Sequence, residues 1–345
     1  MAGLTAPPWT SLIGDAAPPP PLADREPAWW RHGWQHPASV AVTTHHRQEC
    51  VLPSLPPNHR ALLRSQAGPG AGAWLLAVPS DPGTTLPPPA MNIALRRRLR
   101  LPLPVTAATC GVDGRGHGCG GPLDPYGDHA LACPRSGALA RRAPVVERAW
   151  VRVAREAIGA DGRVVPQQWI ASLNVPGVSS TDRRRLDLVI YGATPLGEAL
   201  CCDATLVSAL TRGGAPIPRA ADNDAVAITA ARQRKQRAYP ELLQRGAQRL
   251  LVLATELGGR WSGECRELMR LLVGHRARRV APAVRPAARS GWLRRWWGIL
   301  SVAVQHATAL GCDCWRHPWQ PAGDDGPPLA DVLDLAEPAA PSRLP

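Results

Sequence analysis

The chain has 345 residues, 40 Lys or Arg against 27 Asp or Glu, and a formal net charge of +13. Of the basic residues 39 are arginine and one, Lys235, is lysine, while Phe is absent and Gly plus Pro number 70. GC-rich codons produce this bias, so the arginine excess says little about function and the single lysine becomes the residue to explain. The length fits about two domains, and 45% apolar content is enough for a real core. Met1 to Ser11 has neither the basic nor the apolar region of a secretory signal. No run of about 18 apolar residues marks a membrane span. Nine cysteines without an export signal point away from a disulfide scaffold. They fit a reducing compartment, nuclear or cytoplasmic, with some thiols on a metal.

In chain order, residues 1–60 are Pro-rich, with Pro18 to Pro21 consecutive and scattered Trp9, Trp29, Trp30 and Trp34, and read as largely irregular. Residues 61–105 read as a linker with a short apolar run, Ala73 to Val78, and a basic helix near Met91 to Leu101. Residues 106–140 are rich in Cys, Gly and Asp without periodicity and read as a loop. Cys110, Cys119, His129 and Cys133 are spaced there as Cys-x8-Cys-x9-His-x3-Cys, a donor set for a tetrahedral Zn²⁺. His117 competes with Cys119 for one position. Cys312, Cys314 and His317 form a weaker second candidate, and Cys50, Cys201, Cys202 and Cys265 read as buried thiols.

Residues 141–310 carry the clearest pattern. Val146, Ala149, Trp150, Val153 and Ala157 recur at helical spacing, which predicts a helix over Ala143 to Ile158. Strands follow at Val164 to Leu173, Leu186 to Tyr191 and Glu198 to Val207. A long basic helix is expected over Asp224 to Gln248, then a strand at Arg249 to Thr255 and helices at Gly263 to Arg276 and Trp292 to Leu310. The order predicts a mixed α/β sheet with helices on both faces. Residues 141–300 hold 27 Arg or Lys and 13 Asp or Glu, so the whole positive charge sits here. A concentrated basic field is the footprint of a polyanion partner. Residues 311–345 are acidic and Pro-rich and read as disordered.

Two aspartates lie inside apolar strands, Asp187 in the first and Asp203 in the next. A strand carboxylate is costly unless it is paired or binds a metal. Two on neighbouring strands are an oxygen pair for Mg²⁺. The bland alternative is an Arg partner for one and a turn for the other. Lys235 comes on the helix after the second strand, with Tyr239 four residues on along the same face. Its ammonium is a compact charge able to move a proton, which a guanidinium is not.

Asp187, Asp203 and a helical Lys235 with Tyr239 resemble the PD-(D/E)xK nuclease pattern. More narrowly, they resemble the C-terminal restriction-like endonuclease region of non-LTR retrotransposon proteins, in which the lysine has moved from the strand to the following helix. Thr205 stands where the strand lysine would be. The segments GDHALAC, RRLDLVI, CDATLVS, ELGGRW and RRWWGILS resemble blocks of the same regions, and the likeness covers about residues 61 to 310. The related endonucleases also carry a Cys-Cys-His-Cys element just before the nuclease.

The resemblance implies a restriction-endonuclease-like mixed sheet flanked by helices, preceded by a small zinc-binding loop element. It implies a Mg²⁺-dependent DNA endonuclease that nicks a strand, with DNA or element RNA as partner. Asp187 and Asp203 would hold Mg²⁺, helped by the Ala204 carbonyl. Lys235 would act on the attacking water or on developing charge, Tyr239 would assist, and Glu147 is either the first-helix acid or a solvent-facing helix charge. Arg183, Arg184, Arg232, Arg234 and Arg237 would contact phosphates. Two positions depart from the pattern: Gln167 and Gln168 stand where an acidic residue is expected, and Arg142 where a His is common. No Tyr-x-Asp-Asp motif exists, so the reverse transcriptase portion would act in trans or be lost. The alternative is a catalytically inactive, zinc-containing nucleic-acid-binding relic of a mobile element.

Overall fold

A computed structural model describes residues 35–103, 109–111, 118–244 and 246–312. The Pro18 to Pro21 run, His117, Cys314, His317 and the acidic tail lie outside them. Within the first segment, expected to be irregular, α1 (Gln35–His45) continues through a π-helical stretch, His46–Val51, and a last turn, Leu52–Ser54. Then come α2 (Pro57–Ser65), α3 (Pro88–Arg98), α4 (Asp128–Ala132) and α5 (Ala138–Ile158). The remainder runs β1 (Arg163–Trp169), β2 (Arg185–Tyr191), β3 (Ala199–Val207), α6 (Val226–Ala238), β4 (Gln248–Glu256), α7 (Gly263–Ala277) and α8 (Arg285–Cys312). The predicted order of helix, three strands, helix, strand and helix is the observed order.

The sheet order is β1-β2-β3-β4. β1–β2 and β2–β3 are antiparallel, and β3–β4 is parallel because α6 carries the chain back between them. Alternate residues of the central strands feed two cores, one on each face. Leu188, Ile190, Leu200, Cys202, Leu251 and Leu253 meet α5, α7 and α8. Val189, Cys201, Leu250 and Val252 meet Ile228 and Ala231 of α6, with Ile170 and Leu242. Burial on both faces is why these strands read as near-continuous apolar runs.

The boundaries differ from expectation for local reasons. The helix predicted to Gln248 stops at Ala238, because Pro240 disfavours the helical region for the residue before it, and Tyr239 sits at φ −131°, ψ 58°. A 3₁₀ turn, Pro240–Leu243, follows. The first predicted strand ends at Trp169 and turns into a 3₁₀ segment, Ile170–Leu173. The Cys-rich stretch is not all loop, since α4 lies in it and α5 begins at Ala138, before the expected domain boundary. Cys50, expected to be buried, is exposed, whereas Cys201, Cys202 and Cys265 are buried.

The stretch expected to be a linker is packed onto the domain. Trp74, Leu86, Ala90 and Ala94 share a core with Val302 and Ala309 of α8. The end of α2 docks on the turn after β4, where Arg260 donates to the Arg64 carbonyl and Gly258 meets the Ser65 backbone so closely that a Cβ would lie 2.6 Å from it. Glu256, 3% exposed, lies at this junction, and burial pushes its carboxyl up to about 7. The folded state therefore keeps a proton that the unfolded chain loses above about 4.5, so stability falls as pH rises from about 4.5 to 7 and is level beyond. Glu256→Gln removes this dependence. Its melting temperature should exceed the wild type's at pH 8, by a stability gain of about 1–3 kcal/mol, and the gain should vanish near pH 5. Parallel melting curves of the two proteins across that range would contradict the assignment.

Candidate functional site

The ladder between β2 and β3 ends at the Leu188–Cys202 pair, and the same register sets Asp187 across from Asp203. The two carboxylates therefore stand where the strands part. Asp203 is 2% exposed. The Ala204 N–H donates to Asp187 Oδ2 at 2.7 Å, so it is the amide of Ala204, not its carbonyl, that is engaged here. A side-chain flip accompanies the fork. Leu188 belongs to the α5-side core but Leu186 packs with the α6-side core, which strict alternation would forbid. Opposite Asp187, Gln167 adopts φ +52°, the left-handed region that non-glycine residues seldom enter.

Helix α6 delivers the lysine. Ile228 and Ala231 face the sheet, and Lys235 continues their stripe at i+7 and i+4, so its side chain runs toward the fork. Nζ lies 2.7 Å from Asp203 Oδ1 and donates to Oδ2 at 2.9 Å. Oδ1 is buried and receives no directed hydrogen bond among the described residues. Tyr239, buried just beyond the helix end, donates its hydroxyl to the Arg185 carbonyl at 2.9 Å. Burial and the Asp203 charge push its phenol up, so it stays a proton donor.

Electrostatics at the fork are those of crowded acids. Burial, then the neighbouring Asp203 charge, pushes the Asp187 carboxyl up to about 7, with Glu147 adding to the effect. Burial also raises Asp203, against the pull of Lys235. Glu147 is thus near the fork rather than facing bulk solvent, and it accepts a hydrogen bond from the Gln167 amide. This accounts for an amide at the position where the pattern anticipates an acid: Gln167 donates to Glu147, which another carboxylate would repel. Gln168 takes no part. Glu147, Asp187 and Asp203 do not close into a set of three ligands. Among the described residues, the Cys/His group is the one such set.

A groove of about 730 Å³ opens beside the fork, lined by Asp187, Ala204, Thr205, Arg234, Lys235 and Arg237. The basic candidates separate into groups. Arg234 and Arg237 line the groove. Arg232 lies on another side of α6 and pairs with Glu264 at 3.2 Å. Arg184 is held by Asp182 and Glu241, at 2.6 and 2.8 Å, and is a structural clamp. Arg183 is exposed.

The second site is the Cys/His cluster. Ligand atoms of Cys110, Cys119, His129 and Cys133 all lie within 4.8 Å of one another, and Cys119 Sγ is 3.1 Å from His129 Nε2. The set can hold a metal ion such as zinc. Backbone pairing brings the first pair together: Cys110 N–H donates to the Gly121 carbonyl and Gly120 N–H to the Cys110 carbonyl. Helix α4 supplies the second pair, one turn apart. Asp124 starts that helix by accepting from the Asp128 and His129 amides at 3.1 and 2.7 Å. Burial pushes the Cys110 thiol up to about 11, whereas the Gly121 amide lowers Cys119. Of the other suggested ligands, Cys312 is buried in the core, and His117, Cys314 and His317 lie outside the described residues.

Arginines join this element to the rest, a role the sequence pattern did not expose, and Arg97 reaches Asp128 at 3.3 Å. Arg100 grips the buried Asp128 at 2.6 and 2.9 Å. Arg142, 3% exposed, donates to the Leu131 carbonyl at 2.7 Å and the Leu206 carbonyl at 3.0 Å. It therefore ties the helix of His129 and Cys133 to the strand of Asp203.

The purified protein should carry about one zinc ion per chain, and Cys133→Ser should lower both that content and the melting temperature. Metal-free wild type with an unchanged melting curve would count against a structural metal. No protein-family model matches the chain and no curated protein is significantly similar to it.

Proposed function

We propose that the protein is a Mg²⁺-dependent DNA endonuclease with a restriction-endonuclease-like core, derived from a non-LTR retrotransposon. One observation carries this reading: Lys235 reaches Asp203 from the crossover helix at the point where Asp203 faces Asp187 across an open strand fork. Two crowded acids with raised affinity for a proton have the character of a cation site, and Asp203 already holds one cation, the Lys235 ammonium, 2.7 Å from its Oδ1. Asp187 and Asp203 would hold Mg²⁺, which when bound supplies Lewis-acid polarisation of the phosphate and an activated water.

The chain's own groups do the positioning. The Ala204 amide fixes Asp187, and Lys235 brings an ammonium to the fork, able to orient a water or stabilise charge on a phosphate. Tyr239 fixes the Arg185 backbone beside it. Arg234 and Arg237 line the groove in which the DNA backbone would lie. The zinc element, through Arg142, buttresses β3.

On supercoiled plasmid, wild type should nick in Mg²⁺, and Asp203→Ala and Lys235→Ala should each reduce the rate by about 100-fold or more. Equal residual activity in all three would remove the catalytic assignment. A second reading, a nucleic-acid-binding module without catalysis, is favoured by Gln167 standing in place of an acid. It predicts DNA binding without Mg²⁺-dependent nicking in the same assay. Binding should also show the groove. Arg234→Ala together with Arg237→Ala should weaken DNA affinity regardless of sequence and flatten the plot of log affinity against log salt by about 2. An unchanged slope would place the DNA elsewhere.

A further inference from the structure

Trp169 ends β1 and is 42% exposed, the one tryptophan among the described residues left so open. It is register-paired with Arg185, whose guanidinium lies 5.3 Å from the ring centroid. Exposing a large ring costs apolar area, and an arginine over one face leaves the other face free to stack.

The position in the sheet matters more than the exposure. Leu186 packs on the α6 side, so Arg185 and its partner Trp169 project to the α5 side. Gln167, two residues before Trp169, reaches Glu147 of α5 on that same side. Trp169 is therefore about 7 Å along the strand from the Gln167–Asp187 pair, at roughly 3.3 Å per residue. At about 3.4 Å per nucleotide, that is about two nucleotides from a phosphate held at the fork. The backbone of Arg185 is itself held in place, because Tyr239 donates to its carbonyl at 2.9 Å.

We propose that Trp169, braced by Arg185, is a stacking platform for an unpaired nucleobase next to the phosphate held at the Asp187–Asp203 fork. The inference rests on the nuclease reading and extends it to the substrate: DNA, or RNA, that is single-stranded or opened at the site. Within an intact duplex both faces of each base are already stacked, so a free ring next to the fork has a partner only where a base is displaced. Arginine and an aromatic ring together are the combination that binds single strands without sequence preference.

The test is fluorescence anisotropy, without Mg²⁺, of labelled oligothymidylate, oligouridylate and a duplex of equal length. Variants are Trp169→Ala, Trp169→Tyr and Arg185→Ala, each checked for an unchanged melting curve. Trp169→Ala should weaken single-strand binding by about 5- to 150-fold and duplex binding by less than about threefold, while Trp169→Tyr retains most of the affinity. The oligothymidylate and oligouridylate arms decide between DNA and RNA. Equal single-strand affinity in wild type and Trp169→Ala would overturn the platform, as would an equal loss on single strand and duplex. Plasmid nicking by wild type is scored separately. If the platform fails while nicking persists, the nuclease reading stands. If nicking is absent while Trp169→Ala still loses single strands selectively, the catalytic reading has failed and the base-binding role has not.

Discussion

A carboxylate buried to 2% exposure in an apolar strand demands a cation, and Asp203 meets that demand with the one lysine of the chain. The surrounding architecture is arranged around this pair. The crossover helix must start where it does for Lys235 to fall on its sheet-facing stripe, and Pro240 must end it so that Tyr239 turns back to the Arg185 carbonyl. The strand ladder must open one pair before the acids, or Asp187 would be locked in a backbone pairing instead of facing the groove. A guanidinium in place of the ammonium would be larger, planar and fixed in its fork geometry, where the ammonium is a compact point charge.

Part of the remaining positive charge is spent on the protein itself. Arg184 clamps Asp182 to Glu241, Arg232 pairs with Glu264, Arg100 holds Asp128, and Arg142 caps two buried carbonyls. Net charge describes the field of a segment and says nothing about which arginines are free to meet a ligand. On α6, Arg234 and Arg237 stand beside the groove. The Cys/His cluster and the fork are joined through Arg142, so a change at the cluster would be felt at β3 although the two share no residue.

Much of the candidate site was legible because strands and helices have fixed periods. Asp187 and Asp203 stood out as charges inside apolar runs, Lys235 by composition, and the cysteines by spacing. Gln167 was the misleading position. As a letter it was a missing acid, whereas in space it is the donor to Glu147, in a left-handed conformation that no local pattern announced. Trp169 was invisible as a site residue, since one tryptophan among 13 carries no signal until its exposure and its Arg185 partner are known.

The sequence by itself determined the order of elements, the two-sided burial of the central strands and the donor atoms of the metal cluster. These follow from hydrophobic period and side-chain chemistry, which are local. Tertiary structure decided which acids meet, which arginines are already paired, and that residues 61–105 close over α8 and the β4 turn instead of linking domains. It decided also where β2 and β3 part and on which face Trp169 stands. Those outcomes depend on register and on the competition of distant partners for the same charge, and neither is written in any one stretch of chain.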